Sequence, residues 1–239
     1  MTLKNSVKPL FMVCFFAAMP LASAQASITL GSTRLVYHEA DDGLAFQLTN
    51  REKLPYLVQS WITPALDSQN TSSSTKSAVP FVVTPPLFRM NAGEKNVLNI
   101  IKSSGSLPED RESVFYLNVK AIPGRGEKTV SNLTIAVNST LKMFYRPASL
   151  TDDNVPAAWN QLVFSQNKGI LNVKNPSPFY ITFFSLSADN KKIAFNNNAI
   201  ISPFGTQSYP LPSPHISSVS WSVISDTAQP SEQKNKMLP

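Results

Sequence analysis

Apolar residues in this chain recur at every second position in short runs, and almost nowhere at the spacing of a helix face. Leu44, Phe46 and Leu48 alternate with Ala45, Gln47 and Thr49, and Leu57, Gln59 and Trp61 alternate with Val58, Ser60 and Ile62. Phe115, Leu117, Val119 and Ala121 share one parity, with Tyr116, Asn118 and Lys120 on the other. Leu133, Ile135 and Val137 continue the habit, and Val219, Trp221 and Val223 repeat it among serines. Successive side chains of a strand point to opposite faces, so this pattern buries one face of each strand. Many short runs of this kind, separated by turn residues, predict β-sandwiches. The fold class is all-β.

The N-terminus has the order of a secretory signal. Lys4 and Lys8 precede an apolar run from Leu10 to Ala22, and Ala22-Ser23-Ala24 and Ala24-Gln25-Ala26 are small-residue cleavage sites. The run is shorter than the ~20 residues of a membrane span, so residues 1–26 are expected to be removed and no membrane insertion is expected. The single cysteine, Cys14, lies inside that segment. An exported chain without disulfides must rely on packing for its stability. The formal charge of +6 falls by two with the signal, and the remaining basic residues form no dense block. A clustered basic face is the footprint of a nucleic-acid binder, and none is present.

The chain divides near residues 146–157. Arg146-Pro147 ends a long strand pattern, Asp152, Asp153, Asn154 and Pro156 interrupt any continuation, and strand signals resume at Gln161. Two domains are expected, residues 27–148 and 149–239. The polar stretch from Asp67 to Ser77 and the segment from Gly124 to Ser131 read as surface loops, and the polar tail from Gln229 reads as frayed.

Catalytic chemistry finds little support. His38 and His215 belong to no metal-binding spacing, and there is neither a Gly-x-Ser-x-Gly elbow nor a phosphate-cradling glycine loop. No enzyme activity, metal or cofactor is implied. Asn132-Leu133-Thr134 and Asn138-Ser139-Thr140 match glycosylation sequons but read as strand residues. Two isolated cations stand out: Arg34 in the first strand, and Lys142 near the end of the strand that closes the first domain. On charge alone they are solvated residues at strand edges.

A set of segments adds to this reading. They are Gly31 to Tyr37 (GSTRLVY), Pro55 to Ile62 (PYLVQSWI), Phe81 to Met90 (FVVTPPLFRM), Leu107 to Pro123 (LPEDRESVFYLNVKAIP), Leu141 to Leu150 (LKMFYRPASL), Asn175 to Thr182 (NPSPFYIT) and Ser202 to Gln207 (SPFGTQ). In this order and spacing the chain resembles the periplasmic pilus chaperones of the chaperone–usher pathway, from Ile28 almost to its end.

The resemblance implies two immunoglobulin-like sandwiches in a boomerang arrangement, with a cleft between them. It implies a periplasmic location and, as partners, pilus subunits and an outer-membrane usher. A pilus subunit lacks the last strand of its own sandwich, and the chaperone lends one by strand addition. Matched residue by residue, Leu133, Ile135 and Val137 would fill the subunit's groove, and Arg34 and Lys142 would hold its C-terminal carboxylate. The cysteine-free segment from residue 124 to 141 resembles the short-loop subclass. The family's interdomain acid–base–acid cluster matches Glu112 and Asp226, and the expected central cation is matched to Asn99. On that match the cation is missing, with Lys102 or Arg111 as substitutes. The rival class is a pilus subunit or surface adhesin, which would carry a donor extension before its first strand.

Overall fold

The computed structural model describes residues 28–65, 79–124, 135–195 and 199–238. The signal segment, Leu133 and most of the two predicted loops lie outside the described residues.

Among its described residues the first domain holds nine strands: β1 (Ile28–Leu30), β2 (Arg34–His38), β3 (Leu44–Asn50), β4 (Tyr56–Pro64), β5 (Phe81–Thr84), β6 (Leu87–Met90), β7 (Lys95–Lys102), β8 (Ser113–Pro123) and β9 (Val137–Arg146). They form a four-stranded sheet in the order β1-β3-β7-β5 and a five-stranded sheet in the order β2-β9-β8-β4-β6. The alternation read from sequence is what packs these sheets together. Phe46 and Leu48 of β3, Leu98 and Ile100 of β7, Leu117 and Val119 of β8, and Met143 and Tyr145 of β9 share one buried core. Buried Asn50 closes one end of it, donating to the carbonyls of Leu54, Met90 and Asn91.

A 3-10 turn at Asp152–Asn154 and a helix, α1 (Val155–Asn160), carry the chain into the second domain. Pro156 sits in the first turn of α1, where its missing N–H leaves no hydrogen bond unmade. There follow β10 (Val163–Asn167), β11 (Ile170–Lys174), β12 (Ile181–Ala188), β13 (Lys191–Lys192), β14 (Ile200–Ile201), β15 (Thr206–Pro210), β16 (Ser218–Val223) and β17 (Lys234–Met237). One sheet runs β10-β11-β15, and the other runs β13-β12-β16-β17 with β14 also paired to β12. Lys168 and Gly169, both at positive φ, make the two-residue hairpin turn between β10 and β11. Leu171, Val173, Phe183, Leu186, Val219, Trp221 and Val223 belong to the second core.

The tail departs from expectation. Residues 234–237 pair with β16, and Leu238 is buried in the second core. A polar strand needs no apolar periodicity when its neighbour supplies the hydrogen bonds, so composition alone read it as frayed.

The two domains meet through backbone as well as side chains. The Glu112 amide donates to the Pro178 carbonyl at 2.9 Å, and the ring of Phe144 lies 5.6 Å from that of Tyr180.

Candidate functional site

The site is built on the last strand of the first domain. On β9, Leu141, Met143 and Tyr145 face the core, so Lys142, Phe144 and Arg146 face the other way, toward the second domain. Strand β2 runs parallel to β9 and pairs Arg34 with Lys142, and the pairing continues to His38 and Arg146. The two cations singled out in the sequence, far apart along the chain, are therefore neighbours across one ladder.

Their surroundings differ. Arg34 is buried, its guanidinium 3.9 Å from the centre of the Phe144 ring and its Nε 3.4 Å from Asp226 Oδ1. Burial lowers its pKa from the ordinary arginine value, and the Asp226 carboxylate works against that shift. Lys142 is half-buried and has no ion-pair partner among the described residues.

Upstream of that pair, β9 has a free edge. From Val137 to Leu141 it is bonded to β8 on one side, and no described strand pairs with it on the other. Val137 is 49% exposed and Ile135, just before the strand, is 67% exposed. Both have the parity of the core residues Leu141 and Met143 but lie beyond the end of the core. Leu133 lies outside the described residues.

Behind the cations lies a buried ion network, and here the match made from sequence needs correction. Asn99 is an exposed residue of β7, paired with Ala45 and Thr84, and it does not lie between the acids. The central cation is Arg146. It is 1% exposed and donates from Nε and Nη2 to Glu112 Oε1 at 3.0 and 2.7 Å, and from Nη2 to Asp226 Oδ2 at 2.8 Å. Its Nη1 also bonds Asp152 in the interdomain turn. Glu112 accepts a further bond from the Tyr180 amide at 2.7 Å. The substitutes are engaged elsewhere: Lys102 bonds Glu39 and Tyr145, and Arg111 pairs with Asp110.

Arg146 shares the outward face of β9 with Lys142, four residues away, and the pattern of alternate positions could have found it. Asn99 belongs to the other sheet of the first domain.

Burial opposes the charge of Arg146, but Glu112 and Asp226 more than offset it and hold the guanidinium above its ordinary range. Burial also pushes the Glu112 carboxyl up, and Arg146 and the Tyr180 amide restrain that rise. Three donated hydrogen bonds fit the ionised form of Glu112.

The second-domain side is held by the motifs of the sequence. Buried Asn175 donates to the carbonyls of Phe179 and Ser202 and accepts from the Ser177 amide and hydroxyl. Asn175 thereby ties the NPSPFYIT segment to SPFGTQ and presents Pro178 and Tyr180 to Glu112. No group of three or more His, Cys, Asp or Glu among the described residues could hold a metal ion, and no helix among them is long and apolar enough to cross a membrane.

Comparison with known proteins agrees with this architecture. Residues 27–151 match the N-terminal domain profile described as pili and flagellar-assembly chaperone PapD, and residues 157–234 match the pili assembly chaperone PapD C-terminal domain. The chain is 35% identical to the chaperone protein FimC of Escherichia coli K12, over 89% of this chain and 85% of FimC. It is also 35% identical to the probable fimbrial chaperone LpfB of Escherichia coli O157:H7, over 87% of this chain and 88% of LpfB. Among solved structures it is similar to a chain of the complex of Salmonella enterica SafA pilin with the SafB chaperone, with TM-score 0.75, 29% identity, and coverage of 91% of this chain and 99% of that one. The Escherichia coli chaperone DraB is similar at TM-score 0.73 and 33% identity, covering 89% of this chain and 98% of DraB. Both halves match chaperone domains, which sets aside a pilus subunit or adhesin. The chain belongs to the pilus-assembly chaperone family.

Proposed function

We propose that this chain works in the periplasm, captures a pilus subunit by lending it the free edge of β9, and delivers it to an outer-membrane usher. The observation that carries this reading is where the free edge stops. It ends at Lys142, where β2 begins to pair and Arg34 stands opposite. A strand added in line with β2, parallel to β9, would arrive at the two cations with its C-terminus. An antiparallel strand would bring a terminal ammonium there. Charge therefore favours the parallel arrangement and a free carboxylate.

The same anchor would set register. A slip of one residue turns every side chain of a strand to its other face, so a fixed chain end keeps Leu133, Ile135 and Val137 opposite the subunit's groove. An unpaired edge is also an aggregation hazard for both partners, and pairing them removes it. The buried Arg146 network, behind Arg34, holds the two domains at this place.

The reading is tested with two synthetic peptides that carry the last strand of a pilus subunit, one ending in a free carboxylate and the other in an amide. The free acid is expected to bind at least ~30-fold more tightly, the scale of removing one partner from a charged, hydrogen-bonded pair in a desolvated site. Equal affinities would reject the carboxylate anchor. Fractionation that leaves the protein in the cytoplasm would reject the periplasmic assignment.

A further inference from the structure

Strand β12 of the second domain carries an irregularity that bears on the same cleft. Its register with β16 shifts between Phe183 and Ser185: Phe183 pairs with Val223, Ser185 pairs with Ser222, and Phe184 is the extra residue between them. A bulge of this kind re-aims a side chain, and such bulges concentrate beside functional sites. Phe183 stays in the core, while Phe184 is 58% exposed.

Around Phe184 this face is lined by small polar residues, and the other exposed apolar residue of the sheet, Met237, stands at its far end opposite Ser218. Leu186 and Ala188 of β12, and Val219, Trp221 and Val223 of β16, are buried in the core, so the alternate positions Ser185, Ser187, Ser218 and Ser220 face outward, while Ser222, of the same parity, is itself buried. Ser185 and Ser222 hydrogen-bond each other through their hydroxyls at 2.7 Å. Single exposed apolar residues are ordinary on protein surfaces, but this ring is the extra residue of a bulge, a feature that re-aims a side chain.

The position of this face relative to the first domain gives the ring a use. Thr182, two residues before Phe184 on the same strand, lines a small cavity together with Arg34 and Ile224. Its buried hydroxyl has no hydrogen-bond partner among the described residues. At ~3.3 Å per residue, Phe184 lies about 7 Å along β12 from the seam where Arg34 sits. Phe204, also exposed, is covered differently: the Arg111 guanidinium lies 5.1 Å from its ring.

We infer that Phe184 is the second-domain contact for the bound subunit, an apolar knob that touches the body of a subunit whose terminal strand already lies on β9. The inference rests on the strand-lending reading and adds a second point of contact to it. The strand and its carboxylate engage the first domain, and Phe184 engages surface of the same subunit that the isolated strand does not possess. With more than half of its surface exposed, the ring is accessible to the partner.

The test compares an intact pilus subunit with a peptide of its C-terminal strand, each binding wild-type protein, Phe184→Ser and Phe184→Leu. Melting temperatures of the three free proteins establish that all are folded. Phe184→Ser is expected to bind the peptide as wild type does and the intact subunit about tenfold more weakly, the scale of burying a large apolar side chain. Phe184→Leu is expected to recover most of that loss. Unchanged affinity for the intact subunit, or a loss equal for peptide and subunit, would overturn the inference. So would a change confined to self-association of this chain, read by sedimentation. If wild-type protein fails to bind the peptide, the strand-lending reading itself falls.

Discussion

Arg34 and Lys142 are opposite each other in the parallel pairing of β2 with β9, and just before that pair no described strand bonds this edge of β9. The two are not equivalent. Arg34 is already engaged with Asp226 and the Phe144 ring, whereas Lys142 has no ion-pair partner among the described residues.

That asymmetry separates two variants. Lys142→Ala is expected to leave the melting temperature of the free protein unchanged, because surface substitutions away from built contacts stay within ~0.5 kcal/mol. Arg34→Ala is expected to lower it, since Asp226 loses one of its two cationic neighbours. Both variants are expected to lose at least ~2 kcal/mol of affinity for a strand peptide with a free carboxylate. Calorimetric binding beside thermal melting reads both effects, and a Lys142→Ala protein that binds like wild type would remove that residue from the anchor.

The apolar face before the anchor gives a second test. Ile135 is 67% exposed, so Ile135→Glu places a carboxylate in water and the free protein is expected to melt normally. In a subunit's groove the same charge would be buried without a partner, and capture of subunits is expected to fail. A variant that is folded and still captures subunits in a pull-down would exclude Ile135 from the lent segment.

Arg146 is expected to matter most for stability. Removing one partner of a buried ion pair costs about 3–5 kcal/mol because the remaining charges are left uncompensated, and here Arg146→Ala strands Glu112. Denaturant unfolding is expected to show a loss of that size. Asn99→Arg, by contrast, adds a charge to an exposed position of β7 and is expected to leave the unfolding midpoint unmoved. A clear gain from Asn99→Arg would mean that the network still lacks a cation.

Acid should weaken the contact between β2 and the start of the interdomain segment. Glu39 accepts from the Ala148 amide at 3.0 Å, and its Oε1 is 3.4 Å from Lys102 Nζ. A hydrogen bond with Tyr145, then that from Ala148, hold its carboxyl below the ordinary value of 4.5. A depressed folded pKa contributes stability that is present above the unfolded pKa and is lost as pH falls through the folded one. Glu39→Gln keeps an acceptor for the Ala148 amide but not the charge. The variant is therefore expected to melt below wild type at pH 7, by less than about 1 kcal/mol because solvent screens the site, and the difference is expected to shrink as pH falls below 4.5 and through the depressed pKa of Glu39. A difference that does not change with pH across the acid range would assign the effect to packing.

The all-β class and the strands themselves were legible because burial of one sheet face writes a period of two directly into the chain, as in Phe115, Leu117, Val119 and Ala121. Arg34 and Lys142 stood out because they sit in local motifs that resemble the family, but that they are neighbours across one ladder came only from the parallel pairing of β2 with β9. The tail was misread because β17 draws its order from hydrogen bonds to β16, and its own side chains carry no trace of that. The central cation's pairing left no signal in the sequence for a related reason. Glu112, Arg146 and Asp226 come from the residue before β8, the end of β9 and the residues after β16, and what joins them is the closure of two domains against each other. Sequence determined which residues alternate and which carry charge. Tertiary structure decided which charges meet, because a buried ion network is specified by distances across the interdomain seam, and such distances leave no period along the chain.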